Sequence, residues 1–313
     1  MLLSRAEMTF DFGGARLDCG RDQALLGWMM NQFLYGEVTG IQCGHWLYDA
    51  PDLDAARFFA RQAVEEFQHV DNFLRILELL HEKPAQAHGM VRFLTSGMMP
   101  ATFEEHVCLE MAQGEGFVLL ALYALIDTLK LDGERGADGA GIREILLRAV
   151  KQEERHVAFG ERRTQAALAQ AKLRGLLRLQ LLGLSLVSMW GVLRLGAFMR
   201  DRLPREHEVL KQLPQFLAFT QVCAEQRLLR MGVLAKPLKD TGALEKALAL
   251  AVAYGGGLLL SAGRFVRRLW PFGGRTRVTD TYLSDPELAT RMLSARAGRR
   301  PASEDDEDAA AVA

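Results

Sequence analysis

Two short motifs have the spacing to do chemistry. Glu66-Phe-Gln-His69 and Glu153-Glu-Arg-His156 each place a carboxylate three residues before an imidazole. On an α-helix three residues turn through about 300° and rise about 4.5 Å, so both side chains leave one face, a turn apart. A carboxylate oxygen and an imidazole nitrogen placed in this way can ligate one metal ion. Both pairs lie within apolar stripes. The first runs with Phe59, Ala63, Val70, Phe73 and Leu77, the second with Leu146, Val150, Val157, Gly160 and Ala167. A charged side chain in such a stripe needs a partner or a metal.

Helices must carry these motifs, and apolar residues recur every three or four positions along four segments. They are expected at about 22–47, 52–81, 103–131 and 142–172. Pro84 closes the second, a linker with Gly89, Gly97 and Pro100 follows, and a glycine-rich loop at 132–141 separates the third from the fourth. In an antiparallel helix pair, residues level with each other are equally far from the connecting loop. The midpoint between Glu37 and the helix-two motif falls at Asp52, beside Pro51, so Glu37 is level with that motif. Glu37 shares a stripe with Met30, Phe33, Leu34 and Ile41. The midpoint between Glu115 and the helix-four motif falls inside the glycine-rich loop. Glu110 would place it at the loop's edge, so Glu115 is the preferred partner; its stripe holds Cys108, Met111, Val118, Leu122 and Ile126.

One Glu from each of two helices and a Glu-x-x-His from each of two more resembles the ferritin-like di-iron carboxylate superfamily, whose four-helix bundles use this ligand scheme. The resemblance covers about residues 20–172 and six positions: Glu37, Glu66, His69, Glu115, Glu153 and His156. It implies an all-α fold, a ferritin-like four-helix bundle with additional C-terminal helices. It also implies two iron ions, with an iron–manganese or manganese pair left open, and bridging by Glu66 together with Glu153 or Glu115. Charge arithmetic agrees, because four buried carboxylates cost several kcal/mol per ion and two divalent metals cancel them. Glu65 and Gln152 each precede a motif glutamate and can accept hydrogen bonds from the outward histidine nitrogens across the bundle.

Other residues have plainer readings. Glu65 and Glu154 otherwise face solvent or a salt bridge. His45 and His106 lie about two turns or more from the metal level and read as surface or helix-end residues. Tyr123, two turns from Glu115, reads as a packed core tyrosine before a redox-active phenol. No dinucleotide fingerprint, phosphate loop, His-Glu-x-x-His or Gly-x-Ser-x-Gly motif supports another enzyme class.

The chain has 313 residues, 49% hydrophobic and 25% charged, enough for a large core. With 38 basic and 39 acidic residues it lacks the basic surplus of a nucleic-acid binder. Four cysteines without a Cys-x-x-Cys pair fit a reducing compartment. The N-terminus reaches Glu7 and Asp11 too soon for a signal peptide, so the expected location is cytoplasmic, with membrane association left open. Strand-like alternation is confined to a weak stretch around Met8–Phe12.

The expected organisation is an N-terminal extension (1–19), the bundle (20–172), a C-terminal helical extension (173–293) and a polar tail (294–313). The apolar runs 181–193 and 247–263 are each short of a clean membrane span and read as buried or interfacial helices. A basic–aromatic stretch, Phe265-Val-Arg-Arg-Leu-Trp-Pro-Phe, can rest on a bilayer surface or cap the bundle. About 120 extra apolar residues can roof the bundle and shape a pocket. This tilts the resemblance toward the oxidase and oxygenase branch. The expected reaction activates O2 to hydroxylate, desaturate or N-oxygenate an organic, apolar or lipid-like substrate, with an external electron donor. A homodimer is left open. The rival readings are a ferroxidase or metal-storage protein and a metal-free helical module at a membrane surface.

Overall fold

The computed structural model describes residues 1–47, 50–97, 100, 102–131, 138–199 and 207–255, and these are mostly helical with no strand. Four long helices come first: α1 (Gln23–Gly40), α2 (Leu53–Leu79), α3 (Phe103–Thr128) and α4 (Gly139–Gln170). Three more follow: α5 (Arg174–Met199), α6 (Glu208–Met231) and α7 (243–255). The His45 side chain, residues 256–263 of the second apolar run, the basic–aromatic stretch and the polar tail lie outside the described residues.

Local chemistry sets the helix starts. Asp52 caps α2 by accepting from the Ala55 N–H at 2.8 Å, Thr102 caps α3 at the Glu105 N–H, and Asp138 caps α4 at the Gly141 N–H. The first helix ends sooner than its apolar pattern suggests. Regular α-geometry stops at Gly40, and Ile41–Leu47 tighten into a 3-10 turn, a common way to close a helix C-terminus. The linker after α2 contains a helical turn, Gly89–Arg92, and a π turn, Phe93–Gly97. The weak alternation near Met8–Phe12 makes no strand. Residues Ala6–Met8 form a 3-10 turn, and an isolated bridge joins Leu17 to Leu129.

The helices run antiparallel in the pairs that bear the motifs. Gly40 of α1 meets Glu66 of α2, while Gly27 meets Glu82 beyond the other end of α2. Between α2 and α4, Glu65 bonds His156, and Asp52 pairs with Arg163 at 2.6 Å. Between α3 and α4, Met111 lies against Gly160 and Tyr123 bonds Glu154. Gly160 allows this approach, since a Cβ there would sit 2.6 Å from Met111 Cβ and 2.7 Å from the Val107 carbonyl.

The main core is built from Leu25, Leu34, Phe73, Leu77, Leu122 and Leu146 with their neighbours. The N-terminal residues belong to it through Leu3, Met8 and Leu17. A buried ion pair, Arg227 of α6 with Glu161 of α4 at 3.0 Å, anchors them, because the Leu2 N–H donates to the same Glu161 carboxylate at 2.5 Å. A second core cluster joins α5, α6 and α7 through Leu181, Leu182, Leu228 and Ala249. Among the described residues two helices are long and apolar enough to cross a bilayer by length and composition: Phe103–Thr128, whose most apolar 18-residue stretch is 72% buried within the protein, and Arg174–Arg194, whose corresponding stretch is 33% buried.

Candidate metal centre

Glu37, Glu66, His69 and Glu153 meet in one buried group, and Glu66, Glu115 and His156 meet in a second. Within each group the nearest donor atoms lie within 4.8 Å of one another, so this cluster can hold a metal ion. All six side chains singled out by spacing and depth therefore converge, on four different helices. Both imidazoles are fully buried, and their rings stand 6.0 Å apart.

Each histidine turns Nδ1 inward. His69 Nδ1 lies 3.1 Å from Glu37, 3.0 Å from Glu153 Oε1 and 3.6 Å from Glu66 Oε2. His156 Nδ1 lies 3.5 Å from Glu66 Oε1, 3.7 Å from Glu153 Oε2 and 3.8 Å from Glu115. Glu66 and Glu153 thus each direct one oxygen toward each histidine, whereas Glu37 and Glu115 serve one side apiece. Gly40 makes room for Glu66, as a Cβ there would fall 2.9 Å from its Oε2.

The outward nitrogens are held from across the bundle. His69 Nε2 lies 2.7 Å from Gln152 Oε1, and His156 Nε2 lies 2.8 Å from Glu65 Oε2. Both acceptors hold a proton on Nε2, so that loss of the other proton would leave the Nδ1 lone pair facing the cluster. Glu65 is in turn clamped by Arg61 and Arg155, each at 2.7 Å. Burial raises its pKa, but the bonds from His156, Arg61 and Arg155 prevail and bring the carboxyl down to about 2.

The electrostatics of the cluster are those of crowded acids. Burial pushes Glu37 and Glu115 well above the ordinary carboxyl range, and the neighbouring Glu66 and Glu153 add repulsion to both. Burial also raises Glu153, but the neighbouring His156 and His69 outweigh it and hold that carboxyl at about 2. Burial disfavours charge on the two imidazoles; their carboxylate neighbours, Glu37 for His69 and Glu115 for His156 foremost, raise both above the usual value. Protons thereby take up part of the negative charge. Glu115 Oε2, Glu153 Oε2 and His156 Nδ1 are buried without a hydrogen-bond partner, a costly state that a cation would relieve.

Several neighbours were not foreseen. Gln62 donates to Glu115 at 2.8 Å and to Glu66 at 3.3 Å. It lies one turn before Glu66 on the same stripe, so the helical period could have flagged it. Residues His106–Glu115 of α3 are wound as a π-helix that ends on Glu115, a widening often found at functional sites. His106 lies at a helix end, in keeping with one of its two readings, but not at the surface. It is 1% exposed, stacked on Trp46 at 4.8 Å and placed 2.8 Å from Glu110 through Nδ1, because Trp46 and Phe59 cover the start of the helix. Tyr123 is buried under the Arg5 guanidinium and donates to Glu154.

A cavity of about 220 Å³ opens onto the cluster at Glu37, Glu66, Glu115 and Glu153. Its far walls come from α5, with Ser188, Met189 and Val192, and from α6, with Thr220, Gln221 and Ala224. The C-terminal helices therefore roof the site. Gln113 also lines this cavity, with a buried amide nitrogen that has no partner. No protein-family model, curated protein or solved structure matches the chain.

Proposed function

We propose that this chain is a non-haem di-iron oxygenase or oxidase, a ferritin-like four-helix bundle whose C-terminal helices enclose a substrate cavity. One observation carries the reading: two donor sets share Glu66, and the oxygens of Glu153 face both histidines beside an apolar cavity. In this assignment Glu37 and His69 would hold one ion, Glu115 and His156 the other, with Glu66 and Glu153 within reach of both. The donors suit iron and also manganese. Iron held by these residues would supply the redox chemistry that activates dioxygen, with electrons from an external donor.

The remaining residues prepare the site. Gln152 and Glu65 orient the imidazoles, and Gln62 steadies Glu115 and Glu66. Helices α5 and α6 exclude water and offer apolar contacts to an organic substrate. A ferroxidase could use the same donors, but an apolar cavity directly on the cluster favours oxidation of a bound organic molecule. Metal analysis of the purified protein, with an optical spectrum of the ferrous form after exposure to oxygen, tests the assignment. Two metals per chain are expected. Unchanged metal content in a His69→Ala, His156→Ala double variant would refute the site.

A further inference from the structure

The cluster cavity does not stand alone. A second cavity of about 100 Å³ is lined by Phe12, Leu25, Ala121, Leu213 and Phe216 among others, almost wholly apolar. Gln32, Phe33 and Phe117 line both cavities and form the wall between them. The two are consecutive along the same three helices. On α1 the lining passes from Glu37 to Leu25, on α3 from Glu115 to Thr128, and on α6 from Ala224 to Val209. Together they follow the seam between α1 and α3, floored by the bundle and covered by α6.

The seam has a length and a polarity. From Glu37 to Leu25 it runs roughly 18 Å, at about 1.5 Å per helical residue. That is close to the roughly 15 Å depth of one leaflet of a bilayer's hydrocarbon core, the reach of a single aliphatic chain. The end away from the cluster offers contacts to methylenes and little else. The cluster end is lined by Gln113, whose amide nitrogen is buried and without a partner. A buried donor of this kind is costly until an oxygen accepts from it. The oxygen belongs to a neutral group, since five glutamates and, among the described residues, no lysine or arginine line that cavity, so an anion would find no cationic side chain to pair with.

We infer that the α1–α3 seam binds one straight aliphatic chain with a neutral oxygen-bearing end at Gln113 and its methyl end in the cavity between Leu25, Leu213 and Phe216. This rests on the oxidase reading for its chemistry, but the binding is a separate property. Phe33 and Phe117 mark the point that a chain must pass to use the second cavity, and Ala121 and Phe216 set how far it goes.

The probes are straight-chain primary alcohols from octanol to octadecanol, titrated by calorimetry against the purified chain, with metal content measured on the same samples. Affinity should rise about fourfold per added methylene and stop rising once both cavities are filled. Ala121→Phe should move that break to shorter alcohols and leave octanol binding unchanged; Phe216→Leu, which enlarges the far cavity, should move it to longer ones. Gln113→Leu should weaken every alcohol by about tenfold and leave the position of the break alone. A break that moves in neither cavity variant, or matching fatty-acid anions that bind more tightly than the alcohols, would overturn the proposal. A chain that binds alcohols with the expected break but holds no metal supports the seam and removes the oxidase reading. One that holds two metals and binds no alcohol overturns the seam alone.

Discussion

Glu65 of α2 reaches across to α4 and accepts from His156 Nε2 at 2.8 Å, while Gln152 of α4 returns the same service to His69 of α2. Each motif therefore carries, one residue before its glutamate, the group that orients the other motif's histidine. The exchange follows from antiparallel packing. Residues 65 and 156 are level, and so are 69 and 152, so a residue beside one motif faces the histidine of the other.

This reciprocity can be measured. Glu65→Ala removes the acceptor from His156 and frees Arg61 and Arg155, so the imidazole loses its fixed orientation. Losses of about 10–100-fold in metal affinity are typical for such partners. The expected outcome is weaker binding of the second metal, at His156 and Glu115, with the first little changed. Competition with a chromophoric chelator resolves the two steps; equal loss of both metals would count against the assignment.

The pH dependence of metal uptake has a definite sign. Without metal, burial and crowding keep Glu37 and Glu115 protonated to higher pH than ordinary carboxyls, and their carboxylate neighbours keep His69 and His156 charged. Ligation needs ionised carboxylates and neutral imidazoles, so an incoming ion displaces these protons. Proton release should accompany loading, and apparent affinity should rise with pH across the neutral range. Calorimetry in buffers of different ionisation enthalpy counts the protons; an affinity that fell with rising pH would contradict this picture.

The convergence of the six side chains was legible because it depends only on helical period and on distance from a loop, and both are plain in the sequence. Gln62 was within reach of the same logic. The π-helical winding of His106–Glu115 was not, since five-residue hydrogen bonding leaves no mark on an apolar pattern that α-geometry also satisfies. The burial of His106 was hidden for a related reason: Trp46 and Phe59, which cover it, come from elsewhere in the chain. The roof over the site was foreseen as a role for extra apolar helices, but its walls at Met189 and Thr220 emerge only from how α5 and α6 lie on the seam.

Thiol chemistry offers an independent check of the packing. Burial pushes Cys19 up to about 11 and Cys108 up to about 12, and both are closed to solvent. At pH 8 both should stay protonated and react with an alkylating reagent far more slowly than in denatured chain, because the thiolate is the nucleophile. Peptide mass analysis after timed labelling reads each site. Rapid labelling of Cys108 in the folded protein would show that the α3–α5 contact around it is open.

Removal of metal should destabilise the fold, since a ligand that binds only the native state stabilises it by about 4 kcal/mol at a thousandfold excess over its Kd. The donors come from α1, α2, α3 and α4, so this energy ties all four helices together. Loading the chelated protein with ferrous iron under anaerobic conditions should raise the melting temperature, and His69→Ala should abolish most of the rise. An unchanged melting temperature would favour a metal-free helical module.

Gly160 supplies the sharpest packing test. A methyl there would stand 2.7 Å from the Val107 carbonyl and 2.8 Å from the Ala112 amide nitrogen, and both belong to the π-helical stretch that leads to Glu115. Backbone cannot swing aside as a side chain can, so Gly160→Ala must push α3 away from α4. Overpacking of this kind costs about 1–3 kcal/mol, visible as a lower urea midpoint. The shift should also carry Glu115 away from His156, which is already 3.8 Å from it, while the Glu37–His69 side keeps its geometry. The variant should therefore retain one metal tightly and lose the other. Full retention of both with an unchanged urea midpoint would mean that α3 and α4 are not locked at this glycine.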